Sequence, residues 1–461
     1  MKRAPFSETM AAGKFPPGHS RFQSLLASFT FLKDPIQAIT KNMYRFNGTY
    51  SGYLFGNGRF VITEDPEFIQ YVLRENHVNY QKSELSTKTA ARLFGNGLLF
   101  SNGEPWRKQR KLIQPAFHHG RMQALNETVA KTIREFFVDF PTGEAIEVYP
   151  LMRKLSFSIL IHSIFDITLS SATITELSEG FTDLQDFLLK DINEPLRKFL
   201  YPVNRANQII LQKSRNIRAI LQRIIKHRKS SSESHHDLLD MLLVSTYEDT
   251  GTFMEEEQVI DEILVLLFAG HETTANTLSW IMYLIAKHSD VAEKLKCSID
   301  SMNIYESPGD VYINAVISEG MRLYPAAWMT ERVALTDDQF KDFRIPRGTI
   351  IIPFFYGLHR NKDLWSHPSE FQPERFILPD SSGAKKHKYF FPFGTGPRMC
   401  MGNHFAMMEM AYILHTFLSN FEISPVTEDP AMWALITLRP RKLFLNITQS
   451  ASSSAELASV N

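Results

Sequence analysis

A stretch of 33 residues without proline, residues 255–287, constrains the fold of this chain more than any other segment. It is longer than an ordinary helix of a globular protein, which spans three or four turns. The stretch is apolar around much of its circumference, so as a helix it has to cross the protein interior. With 461 residues, 44% of them hydrophobic, the chain can bury a core large enough to surround such a helix.

Most other segments with a regular pattern are also helical. Helices with apolar residues at three- and four-residue spacing are predicted at residues 121–137, 149–165, 204–227 and 311–323. Strands are predicted at residues 50–55, 59–63, 332–334, 343–345 and 349–355. We therefore expect a mainly α fold with a smaller β-sheet region and one long central helix.

Composition limits the classes of protein to which the chain can belong. Lysine and arginine together number 50, as do aspartate and glutamate, so no global charge indicates nucleic acid or an anionic membrane as a partner. Two cysteines are too few for a disulfide framework and suit a reducing compartment. Residues 1–21 lack the apolar core of a signal peptide, and no run of 18 apolar residues occurs. We expect a cytoplasmic protein without a membrane span, although a chain from which an anchor had been removed would look the same.

The chain shows no internal linker, and its chemically informative motifs extend from position 106 to position 402. Residues 1–20 contain charges, glycine and proline, whereas residues 449–461 are rich in serine and alanine. We expect a flexible segment over residues 1–20, a single catalytic domain over residues 21–448 and a disordered tail over residues 449–461. A monomer is expected.

Cys400, one of the two cysteines, lies in a glycine-rich loop just before the apolar run of residues 405–418. A thiolate at this position can serve as the single protein ligand of an iron cofactor. Gly394 and Gly396 allow a tight bend that aims amide N–H groups at the sulfur, and such hydrogen bonds tune a metal ligand. The alternative is a buried structural cysteine at a junction of loop and helix, the commoner case for a lone cysteine.

The long helix carries a second candidate site at residues 269–274. Gly270 is a poor helix former, and the Thr273 hydroxyl can bond to the carbonyl of Ala269 four residues back, which would open a groove. A distortion in the middle of a helix often marks a function. Glu272 and Thr273 form an acid–alcohol pair able to relay protons into such a groove. The alternative is a buried helix with a small-residue contact, and His271 is expected to be packed or hydrogen-bonded away from a metal.

Five residues of the cysteine loop stand at the spacing Phe-x-x-Gly-x-Arg-x-Cys-x-Gly: Phe393, Gly396, Arg398, Cys400 and Gly402. This pattern resembles the haem-ligand signature of the cytochrome P450 superfamily. Residues 269–274 match the family's oxygen-activating motif, Ala/Gly-Gly-x-Asp/Glu-Thr-Thr/Ser, without departure. The resemblance covers most of the chain and implies the cytochrome P450 fold, with the long helix crossing the haem.

The resemblance also implies roles for these residues. Haem b would bind with its iron on the Cys400 thiolate, and Glu272 and Thr273 would deliver protons. Cofactor-binding roles are carried over to Ala269, Phe393, Arg398 and Gly402.

Glu319 and Arg322 lie on one face of a predicted helix, and Arg375 offers a second guanidinium. They match the family motifs Glu-x-x-Arg and Pro-Glu-Arg-Phe. The resemblance implies a structural triad that locks the fold around Cys400 and has no catalytic role. A buried ion pair of this kind needs further hydrogen bonds to offset its desolvation.

Burying the two propionates of a haem calls for cationic partners. Trp106 and Arg110 lie on one helix face and resemble the family's Trp-x-x-x-Arg element, which holds a propionate. Arg398 is expected near the same group. Arg332 is a third candidate, with a surface charge at a strand edge as the alternative.

By motif position, three segments are expected to line a substrate cavity, with the side chains of Leu98, Leu99, Ala327, Trp328, Met329 and Ile436. All six are apolar, which predicts a hydrophobic substrate bound mainly by shape. Fatty acids, terpenes, steroids and polyketide-like macrolides fit this description. The resemblance favours fatty acids among them.

The implied activity is that of a haem-thiolate monooxygenase that uses dioxygen to hydroxylate or epoxidise a hydrophobic small molecule. No flavin or nicotinamide motif is visible, so the electrons are expected from a separate ferredoxin or flavodoxin-type partner. A basic docking patch is predicted from Arg107, Lys108, Lys111, Lys385, Lys386 and Lys388, with scattered solvated charges as the alternative. Competing functions are a haem-thiolate peroxygenase or isomerase, which needs no reductase, and a non-catalytic haem sensor.

Overall fold

The computed structural model describes residues 13–54, 58–117, 123–165, 169–193, 205–231, 235, 237–300, 311–377 and 386–450. These residues form two compact units. The first, the sheet unit, contains the described residues of 1–83, 329–368 and 394–399. The second, the helical unit, contains the described residues of 84–328, 369–393 and 400–461.

Helices make up most of the described chain. The α-helices are α1 (Arg21–Lys33), α2 (Pro35–Arg45), α3 (Pro66–Gln70), α4 (Glu84–Phe94), α5 (Gly103–Ile113), α6 (Asn126–Val138), α7 (Val148–Phe165), α8 (Ser171–Asn193), α9 (Ala206–Ser230), α10 (Leu238–Val244), α11 (Glu256–Lys287), α12 (Ser289–Asp300), α13 (Val311–Leu323), α14 (Phe355–Leu358) and α15 (Asn403–Asn420). No helix in the described ranges is both long and apolar enough to cross a membrane. The prediction of a mainly α fold with a smaller sheet region is confirmed.

The strands are short. They are β1 (Thr49–Tyr53), β2 (Arg59–Thr63), β3 (Tyr80–Gln81), β4 (Gly143–Glu147), β5 (Arg332–Ala334), β6 (Asp338–Phe340), β7 (Phe343–Ile345), β8 (Ile350–Pro353), β9 (Phe421–Pro425), β10 (Met432–Ala434), β11 (Leu438–Pro440) and β12 (Phe444–Gln449). The sheet unit holds a five-stranded sheet of order β1-β2-β8-β5-β3 and the pair β6-β7. The helical unit holds β4-β12-β9 and the pair β10-β11.

In the sheet unit, β1 and β2 pair antiparallel, and β2 pairs parallel with β8. Thr49 and Thr63 face each other at one end of the β1–β2 ladder, where their buried hydroxyl oxygens lie 2.7 Å apart. At the other edge of the sheet, β3 pairs antiparallel with β5 and aligns Gln81 with Val333. This register brings the residue after Gln81 close to Arg332, a predicted site residue.

The core of the helical unit surrounds α11. Every residue from 274 to 285 is buried, so this half of the helix has no solvent-facing side. Helix α7 packs along it, and its residues Leu155, Ile159 and Leu160 belong to the same apolar core. The observed helix begins one residue later than the predicted segment, because Glu255 adopts an extended backbone and stands as the N-cap.

The chain ends contain more ordered contacts than the sequence predicts. Residues 1–12 and 451–461 lie outside the described residues. Within the predicted flexible segment, however, the amide of Lys14 donates to the carbonyl of Asp342 (3.0 Å) and that of His19 to Ser51 (2.9 Å). Within the predicted tail, Gln449 ends β12 and the Ser450 amide donates to the Asn420 carbonyl (2.8 Å). A single catalytic domain over residues 21–448 stays a prediction.

Candidate functional site

Cys400 lies in the helical unit, two residues before the N-cap of α15, Gly402. Its amide donates to the Phe393 carbonyl (3.0 Å), and the Gly402 amide donates to its sulfur. The side chain is accessible to solvent, yet the surrounding protein raises the pKa of the thiol through desolvation, against the opposing effects of Gly402 and Arg110. A thiolate at neutral pH therefore needs a cation on the sulfur, and a metal ion supplies one.

The glycines of the loop have a steric role within the sheet unit. Gly394 and Gly396 adopt φ values of +72° and +75°, a region that other residues rarely occupy. A Cβ at Gly396 would lie 2.0 Å from the carbonyl oxygen of Leu73. The loop conformation therefore requires glycine at position 396.

The sheet unit gathers three cationic side chains: Lys82, Arg332 and Arg398. Arg332 is 7% exposed, which makes the surface alternative wrong, and burial lowers its pKa to about 10. Burial lowers the pKa of Lys82 to about 7, and the charges of Arg332 and Arg398 act in the same direction. Glu331 opposes this shift only in part. An anionic ligand would relieve the cost of holding these cations together, and the propionates of a haem fit that requirement.

Lys82 is a candidate site residue that sequence reasoning missed. It belongs to no motif, and 250 positions separate it from Arg332 along the chain. It is brought there by the pairing of β3 with β5, one position beyond Gln81. The sequence signal available was weak: a lysine directly after a two-residue strand.

Trp106 and Arg110 lie on α5 in the helical unit, and Trp106 is buried. Burial lowers the pKa of Arg110, and the sulfur of Cys400 partly offsets this effect. The interaction brings Arg110 and Cys400 into one electrostatic environment. A cation close to the sulfur of Cys400 is consistent with the predicted cofactor role.

Helix α11 is continuous through residues 269–274, and Thr273 makes the side-chain hydrogen bond that the sequence predicts. The Thr273 hydroxyl donates to the carbonyl of Ala269 (2.8 Å) and lies 3.3 Å from that of Gly270. A Cβ at Gly270 would lie 2.7 Å from a methyl carbon of Leu160, so this glycine also permits the close approach of α7. Ala269, Gly270 and Thr273 are partly exposed on a helix that is otherwise mostly buried. This accessible strip is the candidate groove.

His271 is held away from the groove. Its ring nitrogen Nδ1 donates to the Leu267 carbonyl (2.7 Å), and its ring packs edge-on against Phe157 and Phe181. Burial lowers the pKa of His271 to about 4, so the ring is neutral at physiological pH. The packed state predicted from the sequence is confirmed.

Glu272 is anchored by two side chains that the sequence did not reveal. The Thr437 hydroxyl donates to Oε1 (2.8 Å), and the amide nitrogen of Gln185 lies 3.4 Å from Oε2. Glu272 is 6% exposed. Thr437 directly follows Ile436, a predicted pocket residue, and this proximity is the only sequence signal for its role. Gln185 lies on α8, 87 positions from Glu272, and the sequence contains no signal that connects the two.

A second buried carboxyl lies beside Thr274. The Thr274 hydroxyl donates to Oε2 of Glu409 on α15 (3.3 Å). Burial raises the pKa of Glu409 to about 8, which favours the protonated carboxyl at neutral pH.

The predicted triad comes together in the helical unit. Arg322 Nε lies 2.7 Å from Glu319 Oε2, and Arg375 Nε lies 3.0 Å from Glu319 Oε1. Glu319 and Arg322 are fully buried, and Glu319 also accepts from the Gln372 amide (3.0 Å). These additional bonds meet the condition for a buried ion pair.

The comparisons with known proteins agree with this geometry. The family model described as Cytochrome P450 matches residues 14–447. The chain belongs to the cytochrome P450 family. Members bind haem through a cysteine thiolate, and this P450 is accordingly a haem-thiolate monooxygenase.

Two bacterial relatives are close in length to this P450. Cyclooctat-9-en-7-ol 5-monooxygenase of Streptomyces melanosporofaciens is 31% identical over 380 residues, which cover 80% of this chain and 82% of that protein. Pentalenene oxygenase of Streptomyces avermitilis is 27% identical over 396 residues, which cover 83% of this chain and 86% of that protein. Among solved structures, retinoic acid bound cyanobacterial CYP120A1 has a TM-score of 0.81 at 23% identity and covers 95% of this chain and 100% of its own. The last likeness concerns the fold alone.

The predicted pocket residues do not share one environment. Leu98 and Leu99 are partly buried, whereas Ala327 and Ile436 are exposed. Trp328 is 1% exposed, and its indole N–H donates to the Leu435 carbonyl (2.9 Å). Trp328 therefore supports the turn before Ile436, and its place in a substrate pocket stays a prediction. Met329 is partly buried and belongs to the sheet unit.

The predicted basic patch is largely compensated. Lys108 Nζ lies 2.6 Å from Asp249, Lys111 pairs with Glu248, and Arg107 lies 3.8 Å from Glu104. Lys385 and the side chain of Lys386 lie outside the described residues. These pairs reduce the free positive charge at Arg107, Lys108 and Lys111, and the docking patch stays a prediction.

The buried carboxyl of Glu409 predicts a pH-dependent stability. Its pKa rises from an ordinary 4.5 to about 8 on folding. The contribution of Glu409 to the free energy of unfolding is therefore fully present below pH 4.5 and is lost as the pH rises through about 8. The variant Glu409→Gln should be more stable than the wild type near pH 8, and its free energy of unfolding should depend less on pH between 4.5 and 8. Urea unfolding at both ends of this range measures the difference.

Met410→Leu, a substitution at the next position of α15, is the control, because it disturbs packing without changing a titrating group. In Glu409→Gln, some pH dependence of the free energy of unfolding should remain because of Glu262, whose pKa burial raises to about 7. The same pH dependence of this free energy in Glu409→Gln and in the wild type would contradict the prediction.

Proposed function

We propose that this P450 hydroxylates or epoxidises a terpene-like hydrophobic molecule, with dioxygen and with electrons from a separate ferredoxin or flavodoxin-type donor. The observation that carries the proposal is the acid–alcohol pair Glu272–Thr273, with the Thr273 hydroxyl bonded to the Ala269 carbonyl. The names of two relatives, which act on cyclooctat-9-en-7-ol and pentalenene, favour a terpene over a fatty acid. Leu98, Leu99 and Ile436 are the apolar residues proposed to contact it.

Cys400 would hold the haem iron through its sulfur, to which the Gly402 amide is bonded. Arg110, in the same unit, would hold a propionate. Haem bound through a thiolate supplies dioxygen activation and cleavage of the O–O bond. The protein supplies orientation, exclusion of water and protons.

Proton delivery is assigned to two side chains. The carboxyl of Glu272, held by Thr437 and Gln185, passes a proton to Oγ1 of Thr273. Thr273 presents that proton on the accessible strip of α11. Proton transfer by a positioned group typically contributes about 10²–10⁴-fold in rate. A peroxygenase, an isomerase or a haem sensor would not require this pair, which favours the monooxygenase.

Substrate binding tests the proposed class. Reduced protein with carbon monoxide should first give the strongly red-shifted Soret band of thiolate-bound haem. Terpene alcohols and hydrocarbons should then shift the spin state, and turnover with a ferredoxin or flavodoxin system should give monooxygenated products. Fatty acids matched in carbon number are the control. Product formed from peroxide but not with redox partners would contradict the proposal.

The variant Thr273→Ala should keep haem and substrate binding but divert reducing equivalents to peroxide, because the hydroxyl that presents the proton is lost. Coupling of NAD(P)H use to product should fall at least about tenfold. Thr273→Ser, which retains a hydroxyl, is the matched control. Unchanged coupling in Thr273→Ala would refute the assigned role.

Thr437→Val removes the donor to Glu272 while keeping the shape of the side chain. The carboxyl of Glu272 then loses the bond that orients it towards Thr273, so product formation should fall about tenfold or more. The pH profile of turnover should change while the thermal midpoint stays close to that of the wild type. Thr437→Ser should restore the rate. A parallel loss of stability and activity, without a changed pH profile, would mean a purely structural role.

A further inference from the structure

Helices α8 and α9 lie side by side in the helical unit. Lys213 of α9 pairs with Asp183 of α8. Close to this pair, a Cβ at Gly180 would lie 3.1 Å from Cδ1 of Ile217, so the two helices approach closely. The two contacts show that the helices run antiparallel, because the later residue of α9 meets the earlier residue of α8.

The two helices carry opposite charges. Helix α8 contains five acidic residues and one lysine. Helix α9 contains seven lysines and arginines and no acidic residue. The separation is local, because the whole chain has as many acidic as basic residues.

Part of this charge faces solvent. Four of the seven cations of α9 pair with acidic residues of the helical unit, and these are Lys213, Arg218, Arg228 and Lys229. Arg215 and Arg223 are exposed and form no ion pair within the part of the chain that the structure describes. The same holds for Glu176, Glu179 and Asp186 of α8. Helical spacing places each set on one outward side of its helix, and we call this surface of five residues the α8–α9 face.

One end of the α8–α9 face is apolar. Ile209 is 56% exposed and lies at the rim of a cleft of about 310 Å³. The cleft is lined by the buried Phe187 and Ile210, with Asp186 and Lys190 at its exposed edge. A protruding apolar side chain and an apolar cleft on the same surface make that surface complementary to a second copy of itself.

We propose that this P450 forms a two-fold symmetric dimer through the α8–α9 face. A two-fold axis parallel to the helices lays α8 of each copy against α9 of the other, so that acidic residues meet basic ones. An axis across the helices would lay like charges on each other. The charge pattern therefore selects the first arrangement.

This arrangement predicts which residues meet. Rotation about an axis parallel to the helices leaves every residue at its own level along the face. Arg223 lies level with the start of α8 and would meet Glu176 of the second copy. Arg215 would meet Glu179 and Asp186 of the second copy, and Ile209 would contact its cleft.

The size of the α8–α9 face limits the strength of the dimer. Helices of 23 and 25 residues are about 35 Å long and together about 20 Å wide, which gives at most about 700 Å² per copy. Exposed ion pairs contribute little to affinity, so the charges mainly set the register and the apolar end adds attraction. We expect a dimer that dissociates on dilution. It does not rest on the substrate or on the reaction proposed above.

Sedimentation velocity of the purified holoenzyme at increasing concentration tests the proposal. The wild type should change from monomer to dimer, and at about 0.5 M salt this change should need more protein than at about 0.05 M. Arg223→Glu alone, or Glu176→Arg alone, should weaken the dimer at least about tenfold, because like charges then meet. Both changes in one chain should restore association to within about threefold of the wild type, because the cross-copy pair is reversed and kept.

The matched controls are Lys154→Glu and Glu293→Arg, the same charge changes at exposed positions of α7 and α12. They should dimerise as the wild type does. The carbon monoxide spectrum of every variant verifies an intact fold. A wild type that stays monomeric at every concentration would overturn the proposal. So would an equal loss of dimer in the controls, or a double variant that associates no better than the single ones.

Discussion

The complete burial of α11 over residues 274–285 is the constraint on which the helical unit depends. A helix without a solvent-facing side needs neighbours on every side, and α7 approaches closely at Gly270, where a Cβ would lie 2.7 Å from a methyl carbon of Leu160. In the same helix the Thr273 hydroxyl bonds to the Ala269 carbonyl, and Ala269, Gly270 and Thr273 are partly exposed. The packing that organises the core and the candidate groove are therefore properties of one helix.

Charge is handled in two different ways in this P450. In the triad, Glu319 is buried together with Arg322 and Arg375, so its negative charge is compensated inside the protein. Removing one partner of such a group typically costs about 3–5 kcal/mol. The sheet unit, in contrast, keeps Lys82 and Arg332 at lowered pKa values, a state that an anionic ligand would relieve. The triad thus compensates its charge within the fold, whereas Lys82 and Arg332 keep a cost of burial.

Distant residues set the environment of several side chains that the local sequence does not explain. Trp328 is buried, with its indole N–H on the Leu435 carbonyl. Lys108 and Lys111 pair with Asp249 and Glu248. Burial and pairing depend on neighbours that the local pattern does not contain.

The sequence by itself determined the family, the cysteine loop, the long helix and the interactions that close within one helical turn. Thr273 bonds to the carbonyl four residues back, and Glu319 pairs with Arg322 three residues on, because helix geometry alone brings these groups together. Only the tertiary structure placed Lys82 beside Arg332, Thr437 and Gln185 on Glu272, and Glu409 under Thr274. Those contacts span tens to hundreds of residues, so they arise from strand register and helix packing and leave no periodic signal in the chain.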